Sequence, residues 1–494
     1  MFHSYNAALL ALGLLLELWQ TQAQTTVGSA ISTDIMDSSV SSSRSSSTTE
    51  MTSTTAISAL STATSSGTLR TPQLDVVENM CWRMFHQSTI KNGSLYIDGG
   101  IESFINALND SLNYDSSSPV TLGYNYHLIE IDLSQPWDWQ KNISELTLDK
   151  VANDKTGTPV PQVVDGTLFS GIAEDSRIWL YGGTTSWWNT SFGNFTYPDS
   201  QMYSLWSYDT NSRDWDQFDV TSGSQWRPSN GLAAEAPELG LGFYFNGEID
   251  SGSSQLTEVL GDEHKIFLQG MVVVNTTSQS ASNISTAAAT GDNPRTRGGV
   301  TYIPAIGDSG VLALMGGTFK NVLSTDSDET STFAPLYNIT LFDIGAYLRN
   351  AGEQLWYTQT ATGDVPEPRG YFCTVLASAS DNSSHNIYLY SGIGENSAVY
   401  DDVYILSIPS FIWTKINNGT SPRFGHTCHR VGNQMITVGG RAMAQLGQDF
   451  PCDWERRGVG VLDMSNVEWG SVFKPESQAG TYFAPKAVQD AIME

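Results

Sequence analysis

At 494 residues the chain has room for several ordinary domains or for one large repeat architecture. Its 14 Trp, 20 Tyr, 19 Phe and 44 Gly suit many short strands joined by tight turns. A net charge of −28 repels phosphate backbones, and with no basic stripe to offset it this argues against a nucleic-acid partner.

The first element in chain order is an address. Ala7 to Leu16 is a short apolar run, and Thr21-Gln22-Ala23 is a small-x-small cleavage signal, so residues 1–23 read as a signal peptide. The prefix carries no Lys or Arg, and Glu17 ends a run already too short to span a bilayer. Residues 24–71 form a low-complexity segment in which Ser and Thr predominate. Such a tract cannot bury enough apolar surface to fold; it reads as an O-glycosylated stalk, or else as an unmodified flexible tail. Ten Asn-x-Ser/Thr sequons follow, at Asn92, Asn109, Asn142, Asn189, Asn194, Asn275, Asn283, Asn338, Asn382 and Asn418. The expected product is a secreted or surface-associated glycoprotein, and no later stretch is long and apolar enough to cross a membrane.

From Cys81 onward a unit recurs. Apolar strands end in glycine turns at Leu95–Gly100, Ile178–Gly183, Phe243–Gly247, Leu312–Gly317, Ile387–Gly392 and Met435–Gly440. A buried strand must be apolar, and its sharp exit needs residues that tolerate positive φ. A second strand precedes several copies, opened by Arg83, Arg297, Arg369 or Arg423. After the turn comes an aromatic or apolar residue, usually followed by Asp, and then Trp. Tyr208 to Trp215, Leu406 to Trp413 and Leu462 to Trp469 share one spacing. Phe342 to Trp356 carries an insertion, Ile131 offers Trp137 and Trp139 out of register, and the third copy has no Trp.

Strand, Gly-Gly, strand, Tyr-Asp, Trp-strand resembles the four-stranded blade of the kelch repeat. The resemblance implies an all-β, kelch-type β-propeller over residues 72–475, with a C-terminal tail at 476–494. Ring packing would cover both faces of each blade, with Trp and Tyr in the wedges. Six glycine turns favour six blades; seven would need a closing strand, for which residues 72–77 are available. A closer likeness, to fungal extracellular kelch proteins, rests on Cys81-Trp82-Arg83, Pro237–Gly242 and Cys452-Asp453-Trp454-Glu455. Many of these continue into a transmembrane helix, so a chain ending at Glu494 reads either as a soluble member or as a truncated frame.

Four cysteines in an exported chain should pair. Cys428 and Cys452 flank the last glycine turn, and the resemblance supports a bridge between them; Cys81 and Cys373 are left open. His426 and His429 are three apart on a strand and so face opposite ways, which speaks against a shared metal. The copper chemistry of galactose oxidase, which shares this fold, finds no ligand set to align here, and no cofactor is expected. By resemblance, the four arginines would ring one end of the channel and bind acidic ligands, unless each is spent on a neighbouring carboxylate. Trp187 and Trp188 are candidate rim aromatics, able to stack on a sugar or a partner or to pack on their own loop. The expected function is a monomeric scaffold that binds a protein, small molecule or carbohydrate through its loops and channel mouth. The alternative is an enzyme or accessory protein acting on a small molecule at the channel.

Overall fold

The computed structural model describes residues 80–104, 122–186, 205–220, 227–254, 257, 265–319, 332–350, 352, 354–419, 421–441 and 452–493. The expected signal peptide at 1–23, the Ser/Thr-rich segment, residues 72–77, Trp187, Trp188, Asn109, Asn189 and Asn194 lie outside them, as does the Asn418 side chain. Among the described residues, no helix is long and apolar enough to cross a membrane.

Six antiparallel meanders of four strands follow one another in the described chain; the fifth also carries the short strands Thr362–Gly363, parallel to its outer strand, and Arg369–Gly370. They run from Gln87–Lys91 to Glu145–Asp149, from Thr167–Phe169 to Trp215–Phe218 and from Leu232–Ala236 to Ser280–Ile284. The others run from Gly299–Ile303 to Trp356–Thr360, from Cys373–Ser378 to Ile412–Asn418 and from Phe424–Val431 to Glu468–Gly470. The apolar strand of each repeat is the second of its sheet. Both of its faces are buried, because each apolar core is shared by two successive sheets. Leu180 packs with Leu128, Phe243 with Leu312, and Ile387 with Ala313. Ile436 of the last sheet packs with Ile97 of the first, so the series is a ring.

The outer tryptophans fill these wedges. Trp215, Trp356 and Trp413 each sit in the core shared with the preceding sheet. In the third copy Ala281 takes the Trp position opposite Val274, and the wedge is filled instead by Phe169, Trp179 and Tyr181. The insertion before Trp356 is a short helix, Ile344–Arg349, whose first turn is capped by the Asp343 carboxylate accepting from the Ala346 amide. In the first sheet the expected Trp hairpin is replaced: Ile131 pairs with Glu145, while Trp137–Asp138 pairs with Val472–Phe473 from the far end of the chain. Trp137 stacks on Phe473 at 4.8 Å between centroids. Of the tail, residues 476–493 are described, and they pack on the fifth and sixth sheets through buried Tyr482 and Val488.

The glycine turns have a steric cause. Gly99 has φ +63°, and a Cβ there would lie 2.1 Å from the Val163 carbonyl oxygen of the next sheet. Beside it, the Gly100 amide donates to that same oxygen (3.0 Å). In the fifth copy Ser391 replaces the first glycine, keeps φ +64° and donates from its hydroxyl to the equivalent Arg423 carbonyl at 2.7 Å.

At the entry to each inner strand, one residue adopts the left-handed conformation: Phe85, Asp165, Asn230, Arg297 and Tyr371 just before it, and Gly425 as its second residue, with φ from +54° to +70°. Their backbones form a closed cycle. Asp165 donates to the Phe85 carbonyl, Asn230 to Asp165, Arg297 to Asn230, Tyr371 to Arg297, Gly425 to Tyr371 and Phe85 back to Gly425, all at 2.7–3.0 Å. This belt encircles the axis at one end of a central cavity of about 400 Å³ lined by the inner strands.

Two disulfides replace the expected one. Cys81 joins Cys452, and Cys373 joins Cys428. Cys428 lies on an inner strand beside the inner strand that begins at Cys373, whereas Cys452 belongs to the loop that returns to Cys81, where the Asp453 amide donates to the Cys81 carbonyl (2.8 Å). Flanking one glycine turn therefore did not bring Cys428 and Cys452 together.

Candidate functional site

The belt brings side chains from successive repeats onto the axis. Arg297 Nε donates to the Tyr371 hydroxyl at 2.7 Å, and Tyr371 donates in turn to Asn230 Oδ1 at 2.8 Å. The Asn230 amide donates to Glu248 Oε1 (2.9 Å), which also receives Arg297 Nη2 (3.0 Å) and Lys265 Nζ (2.5 Å). Glu248 follows the third glycine turn and is completely buried, while its Lys265 partner is 43 % exposed. Phe85 and Tyr371 lie 4.9 Å apart across the position of Gly425, giving the polar cluster an aromatic flank.

Electrostatics divides the two carboxylates. Burial pushes Glu248 up, but Arg297 and Lys265 outweigh it and hold it below its ordinary value. Asp165 is raised to about 7 by burial, against the pull of the same two cations and with Glu248 and Asp250 adding to the rise. Each retains a buried oxygen with no hydrogen-bond donor, Glu248 Oε2 and Asp165 Oδ2. The mouth therefore offers two acceptors, cationic donors and a ring face within one network.

Of the four arginines expected here, Arg297 alone belongs to the belt. Arg83, Arg369 and Arg423 each precede their belt residue by two places, so Arg295 is the true counterpart in the fourth repeat. The displacement matters because those three are spent internally. Arg83 pairs with Glu102 at 2.5 Å, both fully buried. Arg369 pairs with Asp402 (2.5 Å) and stacks on Tyr400 at 3.6 Å. Arg423 bonds the Gly439 carbonyl (2.7 Å) and lies between Asp453 and Glu455. Arg295 lacks a carboxylate partner among the described residues, and burial lowers its pKa to about 10.

His426 and His429 do face different neighbours, since His429 Nε2 lies 2.7 Å from Ser88 Oγ while the His426 ring packs on Tyr390 at 5.2 Å. Of the described sequons, Asn92, Asn142, Asn283 and Asn382 are exposed, and Asn275 and Asn338 are half-buried. The site residues that the repeat pattern did not single out are Asp165, Asn230, Glu248, Lys265 and Tyr371. A signal existed for two of them: Asp165-Gly166 and Asn230-Gly231 are dipeptides that favour positive φ.

No protein-family model matches the chain. It is similar to a kelch repeat-containing protein of Arthroderma benhamiae, 29 % identical over 437 residues, which is 79 % of this chain and 57 % of that protein. Four-stranded blades with glycine-turn second strands and wedge tryptophans, together with this likeness, decide the type. The fold is a kelch-type β-propeller. The propeller chain thus spans less than two thirds of that relative's length. Among solved structures, that of YjhT covers 80 % of this chain and 99 % of its own, with a TM-score of 0.49 and 10 % identity.

Proposed function

We propose that this propeller is a non-catalytic binding scaffold whose channel mouth takes a hydroxyl-rich, carbohydrate-like ligand. The observation that carries this reading is the convergence of Asp165, Asn230, Arg297 and Tyr371 on the belt, with donor-less oxygens on Asp165 and Glu248. A buried acceptor without a donor costs about 1–3 kcal/mol, and a ligand hydroxyl would recover that. Arg297 and Lys265 supply donors in return, and the Phe85–Tyr371 face suits an apolar sugar face. We further propose that the protein is exported and glycosylated. The leader, ten sequons and two disulfides support this.

The test is binding of the full chain to an array of neutral and acidic oligosaccharides, followed by calorimetry on any hit. Glu248→Gln should weaken a hit at least ~10-fold, the scale expected for a lost charge-assisted hydrogen bond, whereas Asp165→Asn, which resembles the neutral form, should weaken it only as pH rises past about 7. Binding that is indifferent to both variants would move the site elsewhere on the propeller.

A further inference from the structure

Within the channel, on the wall formed by the fifth and sixth sheets, Cys373, Cys428 and His426 present their donor atoms within 4.8 Å of one another. The two cysteines lie on adjacent inner strands and are joined as a disulfide. His426 is 6 % exposed, and neither ring nitrogen has a hydrogen-bond partner of ordinary geometry. All three residues line the central cavity. A buried imidazole without a partner is costly, and one beside a cysteine pair is a soft-metal donor set in all but oxidation state.

We propose that reduction of Cys373–Cys428 turns this wall of the channel into a three-ligand site for a d¹⁰ ion, zinc(II) or copper(I). Two sulfurs and a nitrogen at Zn–S of about 2.3 Å and Zn–N of about 2.0 Å place donors roughly 3.5 Å apart. The sulfurs reach that spacing once their bond opens, and the imidazole closes in by a side-chain adjustment. A dithiol reductant supplies two electrons and two protons, becoming a disulfide itself while Cys373 and Cys428 become thiols. Metal binding then displaces both thiol protons to solvent. The cavity side leaves room for a fourth ligand. While the bridge is intact, no thiolate exists and the site is closed.

The experiment uses the full chain, reduced with a dithiol, freed of excess reductant without oxygen, and titrated with cobalt(II) as a spectroscopic stand-in for zinc. A single equivalent should bind with a thiolate-to-cobalt charge-transfer band. That band should be absent in Cys373→Ser and before reduction. His426→Gln keeps both cysteines and should weaken zinc binding beyond the ~10–100-fold of an outer-shell change. Alkylation mapped by mass spectrometry provides an independent reading, since zinc should protect Cys373 and Cys428 but not Cys81 and Cys452. Equal alkylation of Cys373 and Cys428 with and without zinc overturns the proposal. So does a cobalt band that survives Cys373→Ser, or a fold that is lost on reduction and not restored by zinc.

Discussion

Asp165 and Arg297 occupy equivalent belt positions, with the same backbone conformation and the same place in the hydrogen-bond cycle, yet they serve opposite electrostatic roles. Arg297 is held charged by Tyr371 and Glu248 despite its burial, whereas Asp165 is driven by burial towards its neutral form, with a pKa of about 7. The folded protein therefore holds the Asp165 proton more tightly than the unfolded chain does. Its contribution to stability is fully present below the ordinary value of 3.8 and is lost as pH rises towards about 7. Asp165→Asn mimics the protonated form, so its melting temperature should fall less than that of the parent protein as pH is raised through this window. A parallel fall in both would mean that Asp165 ionises normally. Arg297 was within reach of the sequence as a cation opening an inner strand. Its register was not, because Arg295-Thr296-Arg297 offers two arginines and only the belt geometry says which one matches Arg83.

At the scale of the strand, the glycine turn joins local conformation to contact between blades. Gly99 and Gly157 both have positive φ, but only Gly99 faces a backbone oxygen; nothing lies within 4 Å of a Cβ at Gly157. Gly157→Ala should cost only the left-handed penalty of about 1–2 kcal/mol. Gly99→Ala should cost several kcal/mol beyond that, because a carbonyl belonging to the next blade has to move. Urea unfolding of the two variants measures the difference, and equal midpoints would show that the contact between blades is soft. The second strands and four of the outer hairpins were legible because their determinants are local: apolar runs, glycine exits, and Trp at one fixed spacing in three copies and after an insertion in a fourth. Trp137 was misplaced since its true partner, Phe473, lies at the other end of the chain. No periodicity in the sequence records such a pairing.

For the whole molecule, the first and last sheets of the described chain are joined by several kinds of contact. The belt passes from Gly425 to Phe85, Val472–Phe473 pairs with Trp137–Asp138, and Cys81–Cys452 bridges a separation of 371 residues. Replacing Cys81 and Cys452 together by serine should lower stability by about 2–5 kcal/mol, because a long loop is released in the unfolded chain. Denaturant titration of the double variant checks this; an unchanged midpoint would show that ring closure rests on the noncovalent contacts between the first and last sheets. The cysteine pairing eluded the sequence because it depends on which inner strands are neighbours around the ring and on where the last loop returns, properties of the assembled propeller.

The belt's six positions hold Phe, Asp, Asn, Arg, Tyr and Gly, residues with almost nothing in common chemically. What they share is the left-handed main chain and its hydrogen-bond cycle, which carries very different side chains, although a Cβ at Gly425 would lie 2.8 Å from the Phe85 ring. The belt is thus a six-place frame that holds chemically unrelated side chains around one axis through main-chain hydrogen bonds.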